Sequence, residues 1–479
     1  MKTIALHKSI VPGNLSAIEL GNLLARREIS TTELLEDLFE RCNRINPVIN
    51  AIVSMNVDMA RFEARQAQQR ILGGHPLSPL DGIPVTVKDN LFVDGLPATW
   101  GSKIYARFDP ACDDIGIARL RSAGANLFAK TNTPEFALSS HTDNLLFGHT
   151  RNPWDLALTP GGSSGGAAAA LAAGLAPLAV GTDAGGSIRR PASYTGVVGF
   201  RPSTGRIPRA YGFASLAHDF QVLAPAARTV DDTYLLFRTM AGGDVRDRSS
   251  LSFHDYPLPA QLNDLPMPRL RVRCVLSMGD APIDLEVRES VAAAAKLLSE
   301  LGHVVEEGPA PYDPQQIDEI WSTLSSAGLA RAVVRQKNWE KQIHPSSLTI
   351  VEKGLSISSQ TYIQALDATF ELRTHLASFF DSVDILLTPT SASLPWSIER
   401  RYPEKIDGKA AGPRGAALFA TFVNAGGLPA VSVPANRSAA GIPIGMQLVA
   451  GFGCDVRLLQ LAREFETAAP WAADWPNIS

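Results

Sequence analysis

The sequence predicts an α/β protein in which one large sheet is covered by helices. Short apolar runs alternate with helical segments along most of the 479 residues, and such alternation is typical of strands packed against helices. The length would allow two or three domains. The chain nevertheless contains no internal repeat and no low-complexity linker, so we expect one large domain over residues 1–479.

Residues 1–75 are predicted to form an N-terminal helical layer. Ser16 with Glu19, and Ser30 with Glu33, have the spacing of capping boxes and precede amphipathic runs. A third helical stretch over residues 57–71 is followed by a pair of glycines, which are common where helices end.

Residues 76–240 are predicted to form the core that carries the functional residues. A β-branched run over residues 83–87 ends at Lys88 and indicates a strand. Residues 131–166 are rich in Asn, Pro, Ser, Thr and Gly and indicate a long functional loop. The remaining elements alternate as helix, strand, helix and strand, over residues 115–123, 126–129, 167–173 and 178–180.

The C-terminal half continues the alternation. A helix is predicted over residues 285–301 and an extended segment over residues 303–305. A strand over residues 384–387 runs into a loop. The last predicted elements are two strands and a helix, over residues 430–433, 445–449 and 456–468. Residues 250–380 are a candidate for a semi-independent helical insertion.

The composition is that of an ordinary globular protein, with 45% apolar and 19% charged residues. A net charge of −4 gives no reason to expect nucleic acid or a membrane surface as partner. No apolar run approaches the roughly 18 residues of a membrane span, and residues 1–8 lack the apolar segment of a secretory signal. The 4 scattered cysteines form no CxxC pair and predict buried, reduced thiols in a cytoplasmic protein.

Two serines surrounded by glycines are the most informative feature of the chain. Ser163 lies in the glycine-rich run 161–166, and Ser187 ends a second such run that begins at residue 181. Glycine permits sharp turns and close approach, so each serine is expected to present its hydroxyl beside free backbone N–H groups. A nucleophile and an oxyanion hole are the parts that acyl transfer requires.

Four interpretations of this region compete. A phosphate-binding P-loop requires a lysine after the glycines, and none follows them. A nucleophile elbow fits residues 161–165 in sequence but must follow a strand, whereas residues 151–160 contain two prolines and indicate a loop. Simple tight turns are the third interpretation. The fourth takes Ser187 as nucleophile, Ser163 as proton relay and Lys88 as base.

Lys88 is a candidate base because none of the 9 histidines lies in a motif that suggests this role. It closes an apolar run and is expected to be drawn into the interior. Burial disfavours the charged amine and can lower a lysine pKa by up to about 3–5 units. A neutral lysine can then accept a proton from a serine. For a lone lysine after a strand, a solvated surface charge is the alternative.

The two serine motifs together resemble the signature of the amidase signature family. The run of residues 160–192 contains both serines at the separation that this family shows. The resemblance covers nearly the whole chain, because further runs match at residues 81–89, 130–136, 196–203, 387–390 and 427–430. It implies the amidase signature fold, with a single large mixed sheet flanked by helices.

The resemblance also implies a Ser–Ser–Lys triad. Ser187 would attack the carbonyl carbon, and Ser163, which follows a cis peptide bond in this family, would pass the proton to Lys88. The oxyanion hole would be formed by the backbone N–H groups of Ala184, Gly185, Gly186 and Ser187. This chemistry requires no cofactor, and the sequence contains no obvious cluster of metal ligands.

Residues beside these motifs are weaker candidates. Asp183 and Arg189 are expected to brace the second turn through hydrogen bonds and an ion pair. Arg190 is a candidate ligand for a substrate carboxylate, with a structural role as the alternative. The long loop is expected to line the site and to hold the leaving amine through its carbonyl groups, at Ser139, Ser140, His141 and Thr142.

These inferences predict a self-contained amidohydrolase that cleaves a carbon–nitrogen bond of a small carboxamide, anilide or carbamate, or an ester. The alternative is the glutaminase subunit of a tRNA-dependent amidotransferase, which passes ammonia to a partner. That subunit requires paired charges for the ammonium and carboxylate of glutamine, and the sequence assigns no such pair. A binding protein that has lost the chemistry is a third possibility. Similar enzymes are commonly homodimers, so a homodimer is the candidate assembly.

Overall fold

The computed structural model describes residues 11–478. Residues 1–8, which were considered as a secretory signal, lie outside this part. The α-helices of the described part are α1 (Ala17–Ala25), α2 (Thr31–Ile49), α3 (Val57–Leu72), α4 (Ile115–Ser122), α5 (Gly165–Ala172), α6 (Arg189–Thr195), α7 (Val230–Met240), α8 (Leu285–Glu300), α9 (Pro314–Val333), α10 (Pro345–Ser356), α11 (Ser359–Ser382), α12 (Thr421–Gly426) and α13 (Asp455–Ala468).

The strands are β1 (Ile52–Met55), β2 (Pro84–Lys88), β3 (Asn126–Thr131), β4 (Leu178–Asp183), β5 (Val198–Arg201), β6 (Val222–Ala227), β7 (Arg271–Cys274), β8 (Val304–Glu307), β9 (Ile385–Pro389), β10 (Lys405–Ile406), β11 (Lys409–Ala410), β12 (Ala430–Arg437) and β13 (Pro443–Ala450). Within residues 11–478, 11 of them form one mixed sheet in the order β1-β3-β2-β4-β6-β5-β12-β13-β9-β7-β8. Strands β10 and β11 form a separate small hairpin. The predicted α/β fold with one large sheet is therefore confirmed.

Strand β2 lies between β3 and β4 and runs parallel to both. Every residue of these three strands is buried, because helices cover both faces of a parallel sheet. Their carboxyl ends meet at one edge of the sheet, at Lys88, Thr131 and Asp183. Such an edge is where ligands bind in open α/β sheets, and here it carries the predicted functional residues.

Both predicted capping boxes in the N-terminal layer are present. Ser16 caps α1 and Ser30 caps α2, each with its reciprocal glutamate. The expectation that residues 1–75 are only helical is wrong, because β1 pairs antiparallel with β3 at the edge of the sheet. β1 is only 4 residues long and lies between two strong helices, so its pattern is too short to be recognised locally.

Three further strands of the large sheet were not predicted, namely β5, β6 and β7, and neither was the hairpin of β10 and β11. β5 contains a glycine and has 4 residues, and β6 contains a proline and three alanines, which are depleted in strands. Both are buried on both faces, and β6 pairs with β4 along its whole length. These strands therefore depend on sheet contacts more than on local preference.

The segment 250–380 contributes to the central sheet as well as carrying helices. Strand β7 extends the sheet through parallel pairing with β9, and β8 pairs parallel with β7 at the sheet edge. Helices α10 and α11 both pack against α9, and α12 packs against α9 and α11. The helices of this segment thus lie beside α12. The division of the chain into three parts stays a prediction.

Within residues 11–478, no helix is both long and apolar enough to cross a membrane. The four cysteines, all in this part of the chain, are unpaired, but the expectation that all are buried is wrong. Cys112 and Cys454 are exposed, and only Cys42 and Cys274 are buried. Cys112 precedes α4 in a loop and Cys454 precedes α13; loop positions of this kind lie at the surface.

Candidate active site

Lys88 is the last residue of β2 and its side chain is fully buried. Its Nζ donates to Ser163 Oγ at 2.8 Å and to Thr182 Oγ1 at 2.9 Å. Burial lowers the pKa of Lys88 well below its ordinary value, and the nearby Asp183 carboxylate opposes this only in part. This environment favours the neutral amine of Lys88 over the charged form.

Ser163 lies in the turn before α5. The Gly162–Ser163 peptide bond is cis, as the family resemblance implies. At Gly162 a Cβ atom would lie 2.7 Å from the carbonyl oxygen of Ser139, so only glycine allows the long loop to approach this turn so closely. The neighbouring Ser164 donates from its Oγ to the Thr182 carbonyl at 3.1 Å, which links the turn to β4.

Ser187 lies in the turn between β4 and α6 and is 8% exposed. Gly186 precedes it with a φ of 94°, and a Cβ there would lie 2.6 Å from that of Ala420. Both the conformation and the space therefore require glycine. The Ser164 N–H donates to the Ser187 carbonyl at 2.9 Å. That hydrogen bond holds the two serine turns side by side.

Only one of the four N–H groups predicted to form the oxyanion hole already has a hydrogen-bond acceptor within the described chain. The Gly186 N–H donates to Asp183 Oδ1 at 2.9 Å, so it is already used. Among residues 11–478, the N–H groups of Ala184, Gly185 and Ser187 have no hydrogen-bond acceptor. Of these three residues, Gly185 and Ser187 line the cavity described below. The sequence alone does not show that the Gly186 N–H is occupied, because its acceptor, Asp183, lies only three residues away and its carboxylate could face any N–H group of the turn.

Asp183 and Arg189 brace the second serine turn, as predicted. Arg189 Nη2 lies 2.9 Å from Asp183 Oδ1, and both side chains are fully buried. Arg189 also donates to the side chains of Gln447 and Asn424. Although burial opposes ionisation of Asp183, the Arg189 guanidinium and the Asn424 amide hold the pKa of that carboxyl well below its usual range. The turn is thus fixed by a fully satisfied ionic network.

Replacing Asp183 by alanine is expected to lower the free energy of unfolding by about 3–5 kcal/mol, because it leaves Arg189 as an uncompensated buried charge. Urea unfolding of the purified variant measures this change. The matched control is Glu28→Ala, which breaks the exposed Arg26–Glu28 pair and should cost less than about 1 kcal/mol. Equal losses for the two variants would contradict the structural role of Asp183.

A cavity of about 360 Å³ opens at Ser187. It is rich in hydroxyl groups and arginines, and none of its described lining residues is Asp or Glu. The residues that line it are Ala137, Leu138, Ser139, Ser140, Gly185, Ser187, Arg190, Trp321, Ser322, Ser325, Ser326, Ser346, Ile350, Arg401, Tyr402, Pro413 and Arg414. A larger cavity of about 630 Å³ lies between α1 and residues 74–81, away from the two serines.

Of the four binding residues predicted in the long loop, two line this cavity and two do not. Ser139 and Ser140 line the cavity. His141 is buried behind them, with its Nε2 at 3.2 Å from His149 Nδ1, and burial lowers its pKa to about 4. Thr142 donates from its hydroxyl to the Gly161 carbonyl at 2.8 Å. Thr142 therefore ties the long loop to the turn that contains Ser163, whereas the His141 side chain bonds within the loop.

Arg190 lines the cavity, but its guanidinium already bonds to both serine turns. Nη1 donates to the Gly162 carbonyl at 3.0 Å and Nη2 to the Gly185 carbonyl at 3.3 Å, while Nε is buried without a partner. Burial lowers the pKa of Arg190 to about 10. Its role as a carboxylate ligand stays a prediction, beside the structural role that these two bonds give it.

Several cavity residues were not identified from the sequence. Trp321 lies on α9, and Arg401 and Arg414 lie in the chain between β9 and α12. Thr182, the second partner of Lys88, was part of a recognised motif but had no assigned role. A basic cluster with two adjacent arginines at residues 400–401 was the only local signal, and it does not reveal which arginine faces the cavity.

One group of side chains has the composition of a metal site. His141, Asp143 and His149 bring three potential ligand atoms to within 4.8 Å of one another. They lie in the long loop that follows β3, eight residues apart at most, where no metal-ligand cluster was predicted from the sequence. His149 Nδ1 lies 3.5 Å from Asp143 Oδ1 and 3.2 Å from His141 Nε2, so contacts among these three side chains also account for the group.

The fold and this edge site define a class: α/β enzymes with a large mixed sheet and a glycine-rich serine motif. A sequence model of the family Amidase matches residues 33–459. A bacterial aryl acylamidase of the amidase signature family superposes with a TM-score of 0.88 at 29% identity, over 96% of this chain and 98% of that one. 6-Aminohexanoate cyclic dimer hydrolase superposes with a TM-score of 0.84 at 28% identity, over 97% and 99%.

Relatives with curated names are similar along their full length. The A subunit of glutamyl-tRNA(Gln) amidotransferase from Picosynechococcus sp. is 34% identical, over 97% of this chain and 100% of its own. The protein of the same name from a Synechococcus strain is 36% identical, over 94% and 96%. The chain belongs to the amidase signature family, whose enzymes act on amide carbon–nitrogen bonds. The resemblance found in the sequence is thereby confirmed.

Proposed function

We propose that this chain is a self-contained amidohydrolase in which Ser187 is the nucleophile, Ser163 the proton relay and Lys88 the base. The observation that carries the proposal is the buried contact of 2.8 Å between Lys88 Nζ and Ser163 Oγ. It combines a lysine of lowered pKa with a serine in the turn that is bonded to that of Ser187. A structural lysine would not need this partner, since backbone carbonyls satisfy buried lysines elsewhere in the chain, as at Lys130.

The reaction follows from this order of groups. Ser187 Oγ attacks the carbonyl carbon while its proton passes to Ser163, whose own proton passes to Lys88. The N–H groups of Ala184, Gly185 and Ser187 stabilise the developing oxyanion, and one such donor is typically worth about 10²–10³ in rate. The amine leaves with a proton returned through Ser163. Water then attacks the Ser187 acyl-enzyme by the same relay in reverse.

The second candidate function is the glutaminase subunit of a tRNA-dependent amidotransferase. The names of the curated relatives favour it over a self-contained hydrolase. The charge of the cavity argues the other way, because the ammonium of glutamine requires an acidic partner and the described lining residues include none. The aryl acylamidase and the cyclic dimer hydrolase are structural relatives that support hydrolysis of other amides.

The test is release of ammonia or amine by the purified single chain from a panel of amides, anilides and carbamates that includes glutamine. Turnover of amides other than glutamine supports the self-contained hydrolase. Activity on glutamine alone, or only after addition of a co-purifying protein, supports the amidotransferase. Size-exclusion chromatography of the same sample tests the predicted homodimer. A cytoplasmic location stays a prediction.

Replacing Ser163 by alanine is expected to lower kcat/KM by about 10³–10⁴-fold, because the proton of Ser187 loses its path to Lys88. The matched control is Ser164→Ala, since Ser164 lies in the same turn and is equally buried but bonds to Thr182 and not to Lys88. We expect this control to lose less than about tenfold. Steady-state kinetics on the best amide of the panel measures both. Similar losses for the two variants would count against the relay.

A further inference from the structure

Arg401 is a cavity residue whose charge has no anionic partner. It lies between β9 and β10 and is half-buried. Among residues 11–478 it forms no ion pair, and its hydrogen bonding is limited to contacts of Nη1 with the ring of His344, at 3.2 Å to Nδ1. Burial lowers the pKa of Arg401 from its ordinary value, but a guanidinium remains protonated in proteins. A cation in this setting is stabilised when an anion reaches it.

The His344 ring does not neutralise this charge. Its Nδ1 accepts from the backbone N–H of Ser346 at 3.1 Å as well as from Arg401. A ring nitrogen that accepts from two donors carries no proton. Burial and the Arg401 charge lower the pKa of His344, while Asp143 and Glu135 oppose this. The ring is therefore a neutral support that orients Arg401.

Two carboxylates, Glu135 and Asp143, act on the Arg401 charge without forming an ion pair with it. Glu135 accepts from Ser102 at 2.9 Å, from the His344 N–H at 2.8 Å and from Ser347 at 2.6 Å. Asp143 lies 3.5 Å from His149. Both favour the charged form of Arg401 from a distance, without closing an ion pair with it.

The other two arginines of the cavity have partners. Arg190 donates to the Gly162 and Gly185 carbonyls. Arg414 donates from Nε to Asp318 at 2.8 Å and from Nη2 to Thr421 at 2.6 Å, and its guanidinium lies over the Trp321 ring. Arg401 is thus the cavity arginine with the greatest unused donor capacity. The Ser346 hydroxyl already contacts His344 Nδ1 at 2.8 Å, but Ser139 and Ser140 bring further hydroxyl groups to the same cavity.

We propose that Arg401 binds a carboxylate on the acyl portion of the substrate, so that this enzyme prefers monoamides of small diacids over neutral amides. The proposal rests on the proposed amidohydrolase function and specifies its substrate class. Arg401 and the serine hydroxyls form the anion subsite, while Ser187 lies at the reacting end of the same cavity. A guanidinium suits this role because its planar donors match a carboxylate.

The kinetic test compares half-anilides of malonic, succinic and glutaric acid with the neutral butanoyl anilide. The wild-type chain should prefer at least one of the anionic substrates. Arg401→Gln should lower kcat/KM for that substrate by about 10- to 100-fold, the effect of losing one charged hydrogen bond, and change the neutral anilide by less than about threefold. Arg401→Lys keeps the positive charge but loses the paired planar N–H donors of the guanidinium, so it should lower kcat/KM for the anionic substrate by an intermediate factor.

The matched control is Arg400→Gln. Arg400 is the neighbouring residue, its side chain is 58% exposed, and it pairs with Glu404 outside the cavity. This variant should behave as wild type on every substrate. Equal activity of Arg401→Gln and Arg400→Gln on the anionic anilides would overturn the proposal, as would a wild-type preference for the neutral anilide. Retained turnover of neutral anilides would then leave the amidohydrolase function intact.

A binding measurement tests the subsite without turnover. Malonate, succinate and glutarate, added as free dianions, should raise the melting temperature of the wild-type chain through binding to the native state. The shift should be lost in Arg401→Gln and kept in Arg400→Gln. A shift that survives in Arg401→Gln, or is absent from the wild type with all three diacids, contradicts the subsite even if no anilide is hydrolysed.

Discussion

Replacing Ser187 by alanine is expected to lower kcat/KM for amide hydrolysis by about 10⁴–10⁶-fold. Loss of the nucleophile removes the covalent route, and the oxyanion donors alone retain only a small part of the acceleration. The structure places this side chain at the cavity wall, within a turn whose N–H groups at Ala184 and Gly185 have no acceptor in the described chain. Amine release under steady-state conditions, with sensitivity to the uncatalysed rate, measures the loss.

The matched control for this variant is Ser193→Ala. Ser193 lies on α6, six residues beyond Ser187, and is also buried, but its Oγ accepts from the Gly445 N–H and does not line the cavity. This control should keep kcat/KM within about tenfold, with any loss arising from packing. Substantial activity in Ser187→Ala would transfer the nucleophilic role to another group. Equal inactivation of both variants would point to damage of the fold.

Replacing Lys88 is expected to cost about 10³–10⁴-fold or more in kcat/KM, and to remove the pH dependence of the reaction. A base acts in its neutral form, so wild-type activity should be present above the Lys88 pKa and fall as the pH drops through it. Because burial lowers the pKa of Lys88 well below its ordinary value of 10.5, activity should persist well below pH 10. Lys88→Arg, which stays protonated, should be inactive at every pH.

Lys130 provides the control for this assignment. It is also fully buried, and burial lowers its pKa to about 8, but its Nζ donates to the Leu91 carbonyl and it does not line the cavity. The pH–rate profile of Lys130→Met should keep the midpoint of the wild type. A midpoint that moves in Lys130→Met, or a normal profile in Lys88→Arg, would show that another group accepts the proton.

The sequence predicts those site residues whose surroundings are formed by residues close to them in the chain. Ser163 and Ser187 lie in short glycine-rich turns, and Lys88 ends a β-branched run, so their surroundings follow from adjacent residues. Asp183 and Arg189 are likewise only six residues apart and form the expected ion pair. The parallel pairing of β2 with β4 then brings Lys88 to Thr182.

The remaining features depend on contacts between distant parts of the chain. Arg401 and Trp321 reach the cavity only because α9 and the segment before β10 fold over the sheet edge. The occupied Gly186 N–H depends on which way the Asp183 carboxylate turns. Strands β5 and β6 depend on their partners in the sheet, since their own residues favour other structures. Apart from the pair of arginines at residues 400–401, which does not show which of the two faces the cavity, these features have no signature in the nearby sequence.

The most direct test of the Ser187 nucleophile is the mass of the intact protein after reaction with an activated acyl ester, followed by peptide mapping. We expect a single added acyl group on the peptide that contains Ser187, and no addition in Ser187→Ala. The adduct should form far more slowly in Lys88→Arg, which cannot accept the proton. Acylation at another residue, or no acylation of the wild-type chain, would contradict Ser187 as the nucleophile and favour a protein that has kept the fold without the chemistry.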